Sequence, residues 1–441
     1  MKHRAKVLVG FFLCALFILT GVAAQEIELN VAAATPWLIA GEGQRTHVKV
    51  TLEGFELPES TIRPEVNVAI VLDRSGSMDG EKIQYAREAA IMAIDLLDSR
   101  DIASVVAYSD TVSVLVPATR VTDRRYLRQR INDIYADGST ALFAGVSKGA
   151  QELLKFFDSN KVNRVILVSD GLANVGPDSP SALGDLGASL GRSGISVTTI
   201  GLGLGYNEDL MVRLAERSDG NHAFVENSVD LARIFGYEFG DILSVVAQDV
   251  NIEIMCAPGV RPVRVLGREA EIIGSRVITS INQLYSMQEK YILLEVEIDP
   301  HEEATDIPMA EVTLRYDNML SQRSHRLNSV LQVGFTSSRA QSEEFRDVSV
   351  MESAVLQIAT DRSDEAIRLR DEGRVEEAKE VLEANSEFLQ QAAAELDSDD
   401  LAGYGESMAA GAASIESEEE WTSTRKQMVD DQHENRSQQS Y

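Results

Sequence analysis

The chain has 441 residues, of which 44% are hydrophobic and 25% are charged. This composition is typical of a folded protein, and the length exceeds what one hydrophobic core usually organises, so we expect two or three domains. The formal net charge of −29 repels phosphate backbones, and no stripe of Lys and Arg offsets it locally, which excludes nucleic acid as a partner.

Residues 1–24 are predicted to be a secretory signal peptide. Basic residues precede an apolar run from Val7 to Val22, and the small residues Ala23 and Ala24 stand before a polar stretch. The apolar run is short for a membrane span, so we expect cleavage and no transmembrane span afterwards. An uncleaved N-terminal anchor is the alternative. The protein is therefore expected to be exported, to the periplasm or the extracellular space.

Residues 64–243 alternate short apolar runs with longer amphipathic stretches. Val66 to Leu72 and Ile102 to Tyr108 are typical of buried strands. The stretch from Lys82 to Leu97 places apolar residues three or four positions apart, as on one face of a helix. The alternation predicts an α/β domain with a doubly wound, mostly parallel, Rossmann-like sheet that has helices on both faces.

After residue 243 the period of the apolar residues changes to two. Residues 244–337 alternate apolar and polar positions, as in Val250 to Met255, with Pro and Gly between the runs. This pattern predicts a β-rich domain that resembles a sandwich. Residues 25–63 are also predicted to form strands, and we expect them to pair with the later region, so that the α/β domain is inserted into one sandwich.

The C-terminal part is predicted to be helical and then disordered. Residues 338–397 include the sequence AIRLRDEGRVEEAKEVL at 366–382, which indicates a helix, a Gly turn and a second helix. We expect a helical hairpin that packs on the rest of the chain. Residues 398–441 are acidic and then rich in Ser and Gln, which predicts a disordered tail.

Side chains whose oxygen atoms could bind a metal lie near the ends of the predicted strands. Asp73, Ser75 and Ser77 occupy alternate positions in the loop that follows the strand at 66–72. Thr140 lies in a turn before a helix, and Asp170 follows a further apolar strand. In open parallel sheets, ligands bind outside the carboxyl ends of the strands, and hard divalent cations prefer several oxygen ligands. The sequence therefore predicts a divalent-cation site.

The motifs DRSGSM at 73–78, DGSTAL at 137–142 and VSDG at 168–171 resemble the three-part metal-ion-dependent adhesion site of von Willebrand factor type A domains. The resemblance covers about 64–243, and the flanking regions are similar to those of secreted bacterial proteins of this family. It implies that the metal is Mg²⁺, with Ca²⁺ or Mn²⁺ as alternatives, and that a partner protein offers an Asp or Glu to it. It also implies the ligands, some of them acting through water: Asp73, Ser75, Ser77, Thr140 and Asp170.

The residues weigh against two competing interpretations. An EF-hand loop also has oxygen-bearing side chains at alternate positions, but Met78 stands where that loop needs glycine and Gln84 where it needs a bidentate glutamate. Common enzyme motifs are missing, because the sequence has no His-Glu-x-x-His, no Gly-x-Ser-x-Gly elbow and no P-loop. We therefore expect a protein that is not an enzyme.

The sequence leads to one main functional hypothesis and two alternatives. The main hypothesis is a metal-dependent protein-binding module of the cell envelope, used for adhesion or as a scaffold. In the first alternative, the metal acts as a Lewis acid in a hydrolase, which a general base facing the open metal position would favour. In the second, the metal only stabilises a structural envelope protein, so its loss would lower stability without affecting a partner.

Overall fold

The computed structural model describes residues 26–58 and 63–439. The predicted signal peptide at residues 1–24 lies outside this part of the chain. No helix among the described residues is both long enough and apolar enough to cross a membrane. The described chain opens with three strands: β1 (Glu28–Ala33), β2 (Trp37–Ile39) and β3 (Gln44–Glu53).

Residues 66–243 form the α/β domain. Its central strands consist mostly of Val, Ile, Leu and Ala and are buried along their whole length, as expected for a sheet covered on both faces. The elements are β4 (Val66–Asp73), α1 (Glu81–Leu96), β5 (Ile102–Tyr108), β6 (Val112–Arg120), α2 (Arg124–Asn132), α3 (Leu142–Leu154), β7 (Val162–Ser169), α4 (Pro180–Arg192), β8 (Ser196–Leu202), α5 (Glu208–Arg217), β9 (His222–Val225) and α6 (Leu231–Leu243).

The strands of this domain lie in the order β6-β5-β4-β7-β8-β9, and every neighbouring pair is parallel except β5 with β6. Side chains of α1, α2 and α6 form the core on one face, and those of α3, α4 and α5 form it on the other. The predicted doubly wound, mostly parallel sheet is confirmed. The chain runs from β4 to β5 on one side and later to β7 on the other, so a crevice opens at the carboxyl end of β4.

A β-sandwich flanks the α/β domain. Strand β3 lies between β1 and β14 in one antiparallel sheet, with the order β1-β3-β14-β11, and β2 pairs with β16 at the end of a second sheet, β12-β13-β10-β15-β16-β2. The apolar faces of both sheets share one core. The strands after residue 243 are β10 (Val245–Cys256), β11 (Val260–Leu266), β12 (Glu271–Ile273), β13 (Arg276–Tyr285), β14 (Glu289–Ile298), β15 (Ala304–Asn318) and β16 (Arg323–Thr336).

The part of the chain that the structure describes ends in five helices. Helices α8 and α9 form the predicted hairpin, and Gly373 adopts a φ of 80° in the turn between them. Helices α10 and α11 extend this hairpin into a bundle with its own apolar core, whereas α7 packs against β2 and β16. The five are α7 (Arg339–Glu344), α8 (Val348–Asp371), α9 (Val375–Leu396), α10 (Asp399–Ser414) and α11 (Glu418–Ser437).

The prediction of a disordered tail at 398–441 is wrong for the described residues, which form α10 and α11. Ser398 and Ser417 cap these helices by accepting hydrogen bonds from Leu401 and Glu420, and acidic residues fill both first turns, where they favour helix formation. The acidic composition suggested disorder. In the structure, however, acidic residues lie in the first turns of α10 and α11, where negative charge stabilises the helix N-terminus. Buried side chains then pack the helices: Leu401, Met408, Trp421 and Met428.

Candidate metal centre

Three loops meet at the carboxyl edge of the parallel sheet. The first follows β4, the second precedes α3, and the third follows β7. Since β4 and β7 are parallel neighbours in which Leu72 lies opposite Val168, Asp73 lies level with Ser169, and Asp170 follows one residue later at the same edge. The second loop is tied to the first by two backbone hydrogen bonds, from Gly76 N–H to Gly138 O at 2.9 Å and from Asp137 N–H to Arg74 O at 2.7 Å.

Asp73 is fully buried at the floor of this site. Its Oδ1 accepts a hydrogen bond from the Ser75 N–H at 2.8 Å, and its Oδ2 accepts one from the Ser169 hydroxyl at 2.6 Å. Burial raises the pKa of Asp73, and the neighbouring Asp170 acts in the same direction, while the hydrogen bonds from Ser169 and Ser75 lower it. The charged form is thus costly in this environment, and a bound cation would offset that cost.

The three predicted hydroxyl groups face the same space. Ser77 Oγ lies 3.1 Å from Ser75 Oγ and donates to Asp170 Oδ1 at 2.7 Å. A Cβ atom built onto Gly171 would lie 3.0 Å from Thr140 Oγ1, 3.3 Å from Ser77 Oγ and 3.7 Å from Asp73 Oδ2. These oxygens therefore lie close to one another beside Gly171, and a larger residue there would push against them. The structure brings all five predicted site residues together.

The donor set fits a hard divalent cation. It offers two carboxylates and three hydroxyls, and oxygen ligands of this kind suit Mg²⁺, Ca²⁺ and Mn²⁺. Among the described residues there is no group of three or more His, Cys, Asp and Glu side chains that could hold a metal. Asp73, Ser75, Thr140 and Asp170 are buried, whereas Ser77 is exposed. The site therefore opens to solvent on the side of Ser77.

Several supporting residues were not found from the sequence. Asn174 Oδ1 accepts from the Thr140 N–H at 2.8 Å, and Asp110 Oδ1 accepts from the Ser139 N–H at 2.7 Å. Gly138, with a φ of 84°, lies close against Asp110. Ser169 is the last residue of β7 and Asp110 lies two residues after β5, and this position at the strand ends is the signal by which they could have been identified. Asn174 lies in a loop with no comparable pattern.

Lys82, in the first turn of α1, places its ammonium group against Asp170 Oδ2. One carboxylate of the site is therefore already paired with a positive charge. A divalent cation bound there would either displace the ammonium group or bind next to it and be repelled by it. The side chain is 32% exposed, so it has room to turn away. The sequence pattern gave no indication of this contact.

We predict that Lys82→Met binds Mg²⁺ about tenfold more tightly than the wild type, because a unit charge about 5 Å from a divalent ion is repelled by roughly 1.5 kcal/mol even at the dielectric constant of water. Isothermal titration calorimetry measures the two affinities. Lys148→Met, which removes an equal charge from the exposed side of α3, is the matched control. Unchanged or weaker binding by Lys82→Met would show that the ammonium does not compete with the metal.

The comparisons with known proteins agree with this architecture. Residues 67–236 match the family model of the von Willebrand factor type A domain. This part of the chain is a von Willebrand factor type A domain, and such domains commonly mediate protein–protein interaction.

Similar proteins include two bacterial relatives and a solved structure. The uncharacterized protein YfbK of Escherichia coli (strain K12) is 28% identical over 51% of this chain, which spans 39% of the length of YfbK. The uncharacterized protein sll0103 of Synechocystis sp. is 26% identical over 66% of this chain and 70% of its own length. The structure of a von Willebrand factor type A protein from Catenulispora acidiphila has a TM-score of 0.70 at 17% identity, over 88% of this chain and 89% of that one, and so shares its fold.

Proposed function

We propose that this protein is a metal-dependent protein-binding module, used for adhesion or as a scaffold in the cell envelope. The observation that supports this most is the convergence of two carboxylates and three hydroxyls on one space that opens at Ser77. The metal would be held by Asp73, Ser75, Ser77, Thr140 and Asp170. We propose Mg²⁺ as the ion, with Ca²⁺ or Mn²⁺ as alternatives.

The charges of the site favour binding of an acidic group. Only two carboxylates face the divalent cation, and the other ligands are neutral hydroxyls, so the ion stays electrophilic and attracts a further anionic oxygen. When bound, the metal supplies a Lewis-acid position that an Asp or Glu of a partner protein would fill. Lys82, close to Asp170, adds positive charge to the same region and favours such a partner.

The surroundings of the site offer apolar contact area. Leu172, directly after Gly171, is 58% exposed, and Leu204, in the loop after β8, is 45% exposed. Tyr135, in the loop before α3, is 70% exposed and lies beside the Arg74 guanidinium. Exposed apolar side chains around a charged centre are typical of protein interaction surfaces, where an aromatic or aliphatic contact adds to a central polar one.

We also propose that the protein acts outside the cytoplasm. Residues 1–24 have the pattern of a signal peptide, and this pattern is the observation that supports export. The periplasm and the extracellular space are both compatible with this export, and an uncleaved signal would leave the protein anchored.

The test is a pull-down from envelope extract with the chain from Gln25 onward. Wild-type protein and Asp73→Ala are each incubated with Mg²⁺ and with EDTA, and bound proteins are identified by mass spectrometry. We expect a partner that is recovered only by the wild type in Mg²⁺, and substitution of one of its exposed Asp or Glu residues should abolish recovery. Identical recovery in all four samples would refute metal-dependent binding.

A further inference from the structure

The loop between β8 and α5, residues 203–207, packs directly against the candidate metal centre. A Cβ atom built onto Gly205 would lie 2.9 Å from the carbonyl oxygen of Asp170, and one built onto Gly203 would lie 3.8 Å from Lys82 Nζ. This loop therefore touches the main chain of one predicted metal ligand and the ammonium group that pairs with it. A displacement of the loop would remove its contact with the main chain of Asp170.

The far side of the loop is anchored by Tyr206. Its ring is buried and covers Gly201, where an added Cβ would lie 2.2 Å from the ring carbon Cζ. The Tyr206 hydroxyl lies 3.4 Å from His222 Nε2 on β9. The ring thus fills a fixed space over the sheet, and the position of the loop depends on what holds Tyr206.

Lys426 of α11 holds this tyrosine from more than 200 residues away in the sequence. Its ammonium group donates to the Tyr206 carbonyl oxygen at 2.7 Å, pairs with the Glu208 carboxylate and lies 4.1 Å from the centre of the Tyr206 ring. Lys426 is only 3% exposed. A buried ammonium group is costly unless it is paired and hydrogen-bonded, so these contacts fix its position.

Helix α11 is itself fixed along the edge of the α/β sheet. The His222 N–H donates to His433 Nε2 at 3.0 Å, and the Phe224 N–H donates to Asp430 Oδ1 at 3.1 Å. Burial lowers the pKa of His433 to about 3, which keeps its ring neutral and able to accept this bond. Both N–H groups belong to β9, the edge strand, whose outer backbone groups have no neighbouring strand. Side chains of α11 therefore accept hydrogen bonds that a neighbouring strand would otherwise accept from β9, and these bonds fix the position of Lys426.

We propose that Lys426 is a positioning residue for the metal centre: it holds the 203–207 loop against Asp170 and thereby increases the affinity for the divalent cation. The consequence for affinity rests on the proposed function. The C-terminal helix then does more than extend the bundle, because it fixes a metal ligand through Tyr206 and Gly205. Replacing a residue that orients a metal ligand without itself binding the metal typically changes the metal affinity about 10- to 100-fold.

The experiment compares wild type with Lys426→Met and Lys426→Gln, all made as the chain from Gln25 onward. Hydrogen exchange followed by mass spectrometry, in EDTA, reports on peptides that cover 166–176 and 201–208. Titration calorimetry with Mn²⁺ reports the affinity. For Lys426→Met we expect at least about threefold faster exchange in both peptides, from local opening, and about tenfold weaker Mn²⁺ binding. Lys426→Gln keeps a hydrogen-bond donor and should give a smaller change.

Two further variants separate positioning from general stability. Lys379→Met removes a lysine of the same bundle, which pairs with Glu416 at 2.7 Å, and should leave exchange and affinity unchanged. Gly205→Ala pushes on Asp170 from within the loop and should weaken Mn²⁺ binding as Lys426→Met does.

The outcomes are distinct. If both Lys426 variants lower the unfolding temperature but leave Mn²⁺ affinity within twofold and exchange at 166–176 unchanged, Lys426 has only a structural role and the proposal is overturned. If the wild type binds no Mn²⁺, the proposed function and the predicted change in affinity both fail. The exchange measured in EDTA then still decides whether Lys426 holds the loop against Asp170.

Discussion

Asp73→Ala is expected to lose at least about 100-fold in Mg²⁺ affinity. A carboxylate oxygen lies about 2 Å from a bound Mg²⁺, where a unit charge attracts the ion by roughly 4 kcal/mol even at the dielectric constant of water. Desolvation of the carboxylate offsets part of this attraction, and a 100-fold loss corresponds to about 2.7 kcal/mol. Asp73 is fully buried beside Asp170, and a water molecule that took its place would be a neutral ligand.

The measurement is a calorimetric titration of wild type and Asp73→Ala with Mg²⁺. Asp137→Ala is the matched control, because Asp137 is an exposed carboxylate in the loop next to the site. Ser77→Ala should cost less than Asp73→Ala, since it removes a neutral ligand. Equal affinities for wild type and Asp73→Ala would place any bound Mg²⁺ elsewhere and remove the basis of the proposed function.

Arg164→Leu is expected to lower the free energy of unfolding by about 3–5 kcal/mol, the usual cost of breaking a buried ion pair from one side. Arg164 is fully buried on β7, where its guanidinium faces Glu238 Oε2 at 3.4 Å and Thr198 Oγ1 at 3.2 Å. It also donates to the Tyr285 hydroxyl at 2.7 Å and to the Gln283 side chain, both on β13. This one side chain therefore joins the α/β domain to the sandwich.

Urea unfolding measures this loss. The double variant Arg164→Leu with Glu238→Leu should recover much of the stability, because no unpaired charge is then left in the interior. Arg128→Leu removes a half-exposed guanidinium that pairs with Asp95, and we expect a change of at most about 1 kcal/mol for such a surface pair. An Arg164→Leu variant as stable as Arg128→Leu would show that the buried network does not stabilise the junction.

The fold of the α/β domain and the residues of its candidate site follow from local patterns in the sequence. A run such as Val66–Leu72 predicts a buried parallel strand because such strands are apolar throughout. The topology of a parallel sheet then brings Asp73 and Asp170 to the same edge. The positions of these carboxylates depend only on where the strands end. The spacing of the apolar residues in the sequence predicts those strand ends.

Contacts between distant segments could not be predicted in this way. Lys82 meets Asp170, and Lys426 meets Tyr206, across 88 and 220 positions of the chain, and neither pair has a spacing that marks it. The last helix was missed for a related reason. The buried face of α11 includes Lys426, Asp430 and His433, polar residues whose partners belong to the α/β domain.

The insertion of the α/β domain into the sandwich has a mechanical consequence. The chain leaves β3 at Glu53, enters β4 at Val66, and returns from α6 through Ser244 alone into β10. Both connections thus lead to strands of the same sandwich. A pulling force applied at the metal centre would be divided between two covalent tethers and resisted by hydrogen bonds in both sheets, so the α/β domain would stay attached even if one of the two anchoring strands peeled away.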